Sequence, residues 1–333
     1  MSTNADMTMT PRGIALVGAP SSIGIRPYDD SGIPRGLDQA PAVLRAQGLA
    51  DRSDVEDFGD VVPPAYEGFE REPGHVRNEQ GLVTYAHALA DRVAAAGSDG
   101  RFVLLLGGDC SIVLGALLGI SRHAGPVGLA YVDAHSDFNT PTESITGSAA
   151  GMCLAMAVGR GEGPLSRLDV AGPLVQGSDV ALIGTRDDDD PYGQQALGPA
   201  GILDIHGRAV MEAPTAVAER ALERLARDDL GGFWIHFDAD FMDPSVMPAV
   251  DSPTPGGPDV DTIAALLMPL VSHPRALGMQ VTIYDPVLDP DRRAAAALAS
   301  LLDRVLSARM EGAHASRQMR SHLSDAGSLS SAS

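Results

Sequence analysis

Short runs of Val, Ile, Leu and Ala recur along the chain without polar alternation. They are IALVG (14–18), FVLLLG (102–107), VGLAYVD (127–133), DVALIG (179–184), FWIHFD (233–238) and ALGMQVTIY (276–284). A strand with one face in water alternates apolar and polar residues, whereas a strand covered on both faces does not. Between several of these runs lie helical patterns: VTYAHALADRVAAAG (83–97), TAVAERALERLARDD (215–229) and DRRAAAALASLLDRVLSARM (291–310). Strands alternating with helices predict βαβ units, hence an α/β fold with a mainly parallel sheet between two helical layers. No repeat and no linker divides the middle, so one domain is expected over 12–311. Residues 1–11 and 312–333 are polar and Ser-rich and are expected to be disordered.

Charge and cysteine content narrow the function classes. The net charge is -20 over 333 residues, and the sequence has no lysine, so its fixed positive charge is all arginine. Nucleic acid and anionic membrane surfaces need a basic face, so neither is an expected partner. The longest apolar runs are too short to span a bilayer. The start, MSTNADMTMTPRG, has no basic and apolar signal pattern. The 2 cysteines, Cys110 and Cys153, are too few for a disulfide framework. A reducing cytoplasm is the expected location.

In sheets of this kind ligands sit at the carboxyl ends of the strands. Four strand ends carry chemistry: LLLGGDCS with Asp109, Cys110 and Ser111; YVDAHSDFNT with Asp133, His135, Asp137 and Asn139; IGTRDDDD, residues 183–190; and FDADFMDPSVMPAVDSPTPGG, with Asp238 and Asp240. On an extended segment, Asp133, His135 and Asp137 share a face, and so do Asp238 and Asp240. If the two segments adjoin, four carboxylates and an imidazole converge. At ~4 Å each carboxylate pair then costs roughly 1–4 kcal/mol for effective dielectrics of 80 to 20. Two divalent metals relieve this, and oxygen-rich ligation with one histidine suits Mn or Mg. Asp109 alone reads as a cap or turn former. His236, Trp234, Tyr284 and Cys153 read as core, and the acidic run 187–190 as solvated. GGDCS lacks the lysine and the spacing of a phosphate loop.

These segments resemble the arginase/agmatinase (ureohydrolase) family over nearly the whole chain. GAPSSIGIRPYDDSGIPRGLDQAPAVLRAQGL (18–49) resembles its opening segment, GGDCS its GGDHS motif, and DAHSDFN its DAHxDxN motif. FDADFMDPSVMPAVDSPTPGG is similar to SFDxDxxDPxxxPxxGTPxxGG, and DPDRRAAAALASLL to the last helix. The resemblance implies a three-layer α/β/α sandwich, assembled as a homo-oligomer (trimer or hexamer). It implies hydrolysis of a guanidino or amidino C–N bond of a small arginine-like substrate, not of peptide bonds, with release of urea or a substituted urea. Two Mn²⁺ ions would hold the hydroxide that attacks the planar carbon. One ion would take Cys110, Asp133, Asp137 and Asp238; the other His135, Asp133, Asp238 and Asp240. Asp133, His135 and Asp238 are the implied catalytic centre. Asn139, Thr146 and Asp189 fall where the family contacts the amino-acid end of its substrate.

Three departures qualify the expectation. Cys110 replaces a histidine ligand; as a thiolate it favours Zn²⁺ or another softer ion, and otherwise it is a bystander at a weak site. Ala150, in TGSAAG, replaces a histidine that delivers a proton to the leaving amine, a role worth ~10²–10⁴-fold. Ile283, in VTIYDP, replaces the glutamate that grips the guanidinium; Asp285, two positions on, is the expected compensation. A cysteine-bearing branch of the family, resembling the hydroxyarginine hydrolases, shares the first two departures. Two other readings follow: a catalytically silent binding or structural subunit, or a hydrolase of another C–N bond such as an amide.

Overall fold

The computed structural model describes residues 13–27, 35–67, 71–168, 171–186 and 191–330, with side chains for all but 191, 192 and 313–330. The strands are β1 (Ile14–Gly18), β2 (Val55–Asp60), β3 (Phe102–Leu106), β4 (Gly128–Val132), β5 (Val180–Ile183), β6 (Leu203–Ile205), β7 (Phe233–Asp238) and β8 (Ala276–Thr282). They form one sheet of 8 strands in the order β2-β1-β3-β8-β7-β4-β5-β6. Every pairing is parallel. Each doubly apolar run of the sequence is one of the six inner strands. The two outer strands are β2, whose VEDFGD side chains are partly or fully exposed, and the three-residue β6.

The helices are α1 (Ala40–Ala46), α2 (Glu79–Gly97), α3 (Ile112–Ala124), α4 (Cys153–Ala157), α5 (Pro191–Leu197), α6 (Gly207–Glu212), α7 (Pro214–Leu225), α8 (Val260–Ser272) and α9 (Arg293–Ser330). α2, α3 and α4 pack together; α9 packs with α1 and α8, and α8 with α7. These two layers enclose the sheet, giving the α/β/α sandwich. The start of α9 is set by Asp289, whose carboxylate accepts the backbone N–H groups of Ala294 and Ala295 at 3.2 and 2.9 Å. Segment 312–330, expected from its composition to lack structure, continues this helix. Its Ala, Arg, Met and Leu content favours helix, and no proline interrupts it. No helix among the described residues is long and apolar enough to cross a membrane.

The strand order places the site. After β3 the chain skips two places and lays down β4, and the gap is filled later by β7 and β8. The carboxyl ends of β3, β8, β7 and β4 therefore converge at the reversal of strand order, where open α/β sheets leave a crevice.

Candidate metal centre

β4 and β7 are neighbours with Val132 opposite Phe237, so the next residues, Asp133 and Asp238, leave the sheet side by side. Each then makes the same local turn. Asp133 Oδ1 accepts the N–H of His135, and Asp238 Oδ1 accepts the N–H of Asp240, both at 2.8 Å. An aspartate that binds the N–H two residues on forms an Asx turn. These paired turns, rather than a continuing extended strand, aim His135 and Asp240 at one point, with His135 Nδ1 3.1 Å from Asp240 Oδ2 and 3.4 Å from Asp133 Oδ1. Asp137 follows in the left-handed region, with φ 47°.

The β3 side contributes Cys110. Its Sγ–H donates to Asp238 Oδ2 at 2.8 Å, and the Thr282 hydroxyl on β8 donates to the same oxygen at 3.1 Å. Gly108 permits this approach, because a Cβ there would stand 1.9 Å from the Ser21 carbonyl oxygen. Asp109 is a structural brace. It is fully buried and accepts from Ser21 Oγ at 3.1 Å and from the Gly24 and Ser111 N–H groups at 3.0 Å.

Two clusters of donor atoms result, each with its atoms within 4.8 Å of one another: Cys110, Asp133, His236 and Asp238, and then Asp133, His135 and Asp240. Asp133 belongs to both. Asp137 lies outside both; its Oδ2 accepts from the Tyr131 hydroxyl at 2.6 Å and from Cys153 Sγ at 3.4 Å. Cys153 is thus beside the centre, not merely core packing. His236 enters a cluster although its sequence context reads as core. The available signal was its position two residues before Asp238, on the same face of β7.

The electrostatics are those of a site built for cations. Burial, then the charges of Asp240 and Asp133, push Asp238 well above the usual carboxylate range. Burial, then Cys153 and Asp133, do the same for Asp137. Burial also raises Asp240, against the pull of His135. Burial and the neighbouring Cys153 and Asp238 raise the Cys110 thiol. Asp133 is the exception: burial is outweighed by the neighbouring imidazoles of His135 and His236, and it stays low. Asp240 Oδ1 is buried without a hydrogen-bond partner. An orphaned buried carboxylate oxygen in such a cluster fits a divalent ion. The Asp133, His135 and Asp240 donors suit a hard ion, and the thiol-bearing cluster a softer one.

These groups floor a cavity of about 720 Å³. Asn139, Thr146, Ala150, Ile283, Arg26, Arg35 and Asp251 line its walls. Arg35 forms an ion pair with Asp251. Ile283 holds φ at 64°, a rare conformation for a β-branched residue and a source of local strain. Asp285 is a correction to the sequence reading. It is fully buried, accepts the N–H groups of Gly36 and Val287 at 3.1 and 2.9 Å, and does not line the cavity. Its carboxylate caps the turn after β8 and ties down the Gly36 loop. Asp189 lies outside the described residues.

The sequence pattern of the Arginase family matches residues 12–307. An arginase of Staphylococcus aureus (strain MRSA252) is 30% identical over 302 residues, covering 87% of this chain and 96% of its own. Human arginase-1 is 32% identical over 263 residues, covering 75% and 78%. The solved arginase of Bacillus caldovelox superposes with a TM-score of 0.79 at 28% identity, covering 89% of this chain and 98% of its own. With the same fold, the motifs in order and the carboxylates gathered at the strand ends, the chain belongs to the arginase family.

Proposed function

We propose that this chain is a metal-dependent hydrolase that cleaves the guanidino C–N bond of a small arginine-like substrate and releases urea or a substituted urea. The observation that carries the proposal is the pair of donor clusters sharing Asp133 at the cavity floor. By the family resemblance, Cys110, Asp133, Asp137 and Asp238 would hold one ion and His135, Asp133, Asp238 and Asp240 the other; Asp137, outside both clusters, would have to leave its Tyr131 and Cys153 partners to do so. Two divalent ions, when bound, supply an activated water and offset the charge that develops at the planar carbon. Mn²⁺ suits the oxygen-rich half; Cys110 makes Zn²⁺ or another softer ion the competitor at the other.

The walls bear on the substrate. Asn139 and Thr146 are assigned to its amino-acid end, as is Asp189 by the resemblance alone, and the exposed Arg26 on the cavity wall favours a carboxylate there. Ile283 offers the guanidinium no acceptor, and unpaired N–H donors cost about 1–3 kcal/mol. That disfavours plain arginine and favours a guanidine carrying a substituent that lowers its hydrogen-bonding demand. His135 is the one imidazole among the described residues lining the cavity, and its Nε2 is 3.1 Å from Thr254 Oγ1. With Ala150 in place of a proton-delivering imidazole, the leaving amine takes its proton from solvent, or the substrate carries a better leaving group. The reading is completed by a cytoplasmic homo-oligomer, a trimer or hexamer.

The test is urea or substituted-urea release over a panel of guanidino compounds, with metal content measured on the same sample. Turnover restored by Mn²⁺ supports the proposal. Silence across the panel with both sites loaded sinks it, and release of a carboxylic acid and an amine from an amide substrate reassigns the bond.

A further inference from the structure

Behind the donor clusters runs a chain of three fully buried polar side chains: Trp234, Gln280 and His236. Trp234 Nε1–H donates to Gln280 Oε1 at 2.9 Å. An indole nitrogen can only donate, so it fixes the orientation of the amide. The Gln280 NH₂ then faces His236 Nδ1, at 2.7 Å. That NH₂ also can only donate, so Nδ1 must be the nitrogen with the lone pair. A neutral imidazole with a bare Nδ1 carries its proton on Nε2. Turning the ring over would set a C–H against the amide, and stacking on Tyr131, centroids 3.9 Å apart and planes at 13°, keeps the ring in place. His236 Nε2 is buried, has no hydrogen-bond partner, and stands 3.6 Å from Asp133 Oδ2.

We propose that His236 is a positioning residue, an Nε2–H donor aimed at Asp133 with its tautomer locked by Gln280 and Trp234, and is not a metal ligand. Nε2 lies within 4.8 Å of donor atoms of Cys110, Asp133 and Asp238, and distance alone would make it a fourth ligand. A ligand needs a lone pair where this nitrogen carries its proton. Nε2 instead stands 3.6 Å from one oxygen of Asp133, while the His135 N–H holds the other at 2.8 Å. The carboxylate common to both clusters is thus steered from both sides, and a neutral donor offsets its charge without occupying an ion's place. Such outer groups commonly account for 10–100-fold in metal affinity. The effect on metal affinity rests on the function proposed above; the tautomer does not.

The experiment is long-range ¹H–¹⁵N correlation on the full chain labelled at histidine, with chelator and then with Zn²⁺, the His236 signals assigned by their loss in His236→Gln. The expected result is a proton on Nε2 and none on Nδ1 in both states. A proton on Nδ1 overturns the proposal, as does loss of the Nε2 proton on adding Zn²⁺, which would make His236 a ligand. Gln280→Glu supplies only acceptors, so Nδ1 should become protonated; an unchanged tautomer refutes the lock. His236→Leu should weaken Zn²⁺ binding about 10–100-fold, with His236→Gln, which keeps an N–H donor, recovering part of the loss. Equal affinity in all three proteins refutes the positioning role. Should the leucine variant fail to fold, the wild-type tautomer still decides. Absence of guanidine hydrolysis with the expected tautomer would defeat the proposed function and leave this inference standing.

Discussion

Asp238→Asn should stabilise the metal-free protein and abolish most of what metal adds. Asp238 is almost fully buried beside Asp133, with ligand oxygens no more than 4.8 Å apart. At 4.8 Å two unit charges repel by roughly 0.9 to 3.5 kcal/mol for effective dielectrics of 80 to 20. The amide keeps the shape and the bonds. Its oxygen still accepts the Asp240 N–H, and its NH₂ can donate to Cys110 Sγ and Thr282 Oγ1, which now donate to the carboxylate. The raised carboxyl of Asp238 destabilises the fold as pH climbs from its unfolded value through its folded one, so the gain grows with pH over that window. In chelator at neutral pH, the melting temperature should rise by at least about 2 °C. Wild type should gain about 2.7 kcal/mol from free Mn²⁺ at 100 times its dissociation constant, and the variant far less, so metal shifts the difference between them towards wild type. Calorimetric scans of both proteins, with chelator and with Mn²⁺, measure all four states. A variant less stable than wild type in chelator, or one that gains as much from Mn²⁺, would refute the electrostatic account of the site.

Ile283→Glu puts an acceptor on the cavity wall; kcat/KM for guanidino substrates should rise about 5–150-fold, the equivalent of about 1–3 kcal/mol in paired N–H donors, as steady-state kinetics would show. Asp289→Asn replaces one of the two acceptor oxygens, which take the Ala294 N–H and the Ala295 N–H with the Tyr284 hydroxyl, by a donor, and should cost about 1–3 kcal/mol in denaturant unfolding at pH 7. Burial opposes but does not outweigh the bonds from Ala295, Tyr284 and Ala294 that lower Asp289, so its contribution is present above the unfolded carboxylate value. It disappears as pH falls through the folded value, and the wild-type and variant curves should merge there. Metal affinity should climb with pH through and above the usual carboxylate range, because Asp238, Asp137 and Asp240 are raised and must lose protons to bind; calorimetric titration in buffers of different ionisation enthalpy would count those protons.

The inner strands were legible because burial on both faces leaves a run such as FVLLL with no polar interruption. The outer strands were not, since VEDFGD on β2 faces water and LDI on β6 is too short to show a pattern. α3 also escaped notice: every residue from Ile112 to Ile120 is buried, so no polar face marks a helical period. At the site, the spacing of Asp133, His135, Asp238 and Asp240 announced the donors, though not the Asx turns that aim them. Asp285 misled because a carboxylate two residues from Ile283 reads equally as ligand or cap, and only the Gly36 and Val287 N–H groups decide between the two. The partnership of His236 and Gln280 depends on the register of β7 against β8, which places them opposite one another and which neither segment encodes by itself.

β8 is the last strand made, yet it lies in the middle of the sheet, between β3 and β7. During synthesis, all the chain before Ala276 must wait with two apolar strands unpaired along one side each. Unpaired strand edges of that kind recruit other chains. A fragment ending before Ala276 is therefore expected to clump rather than to serve as a smaller working protein.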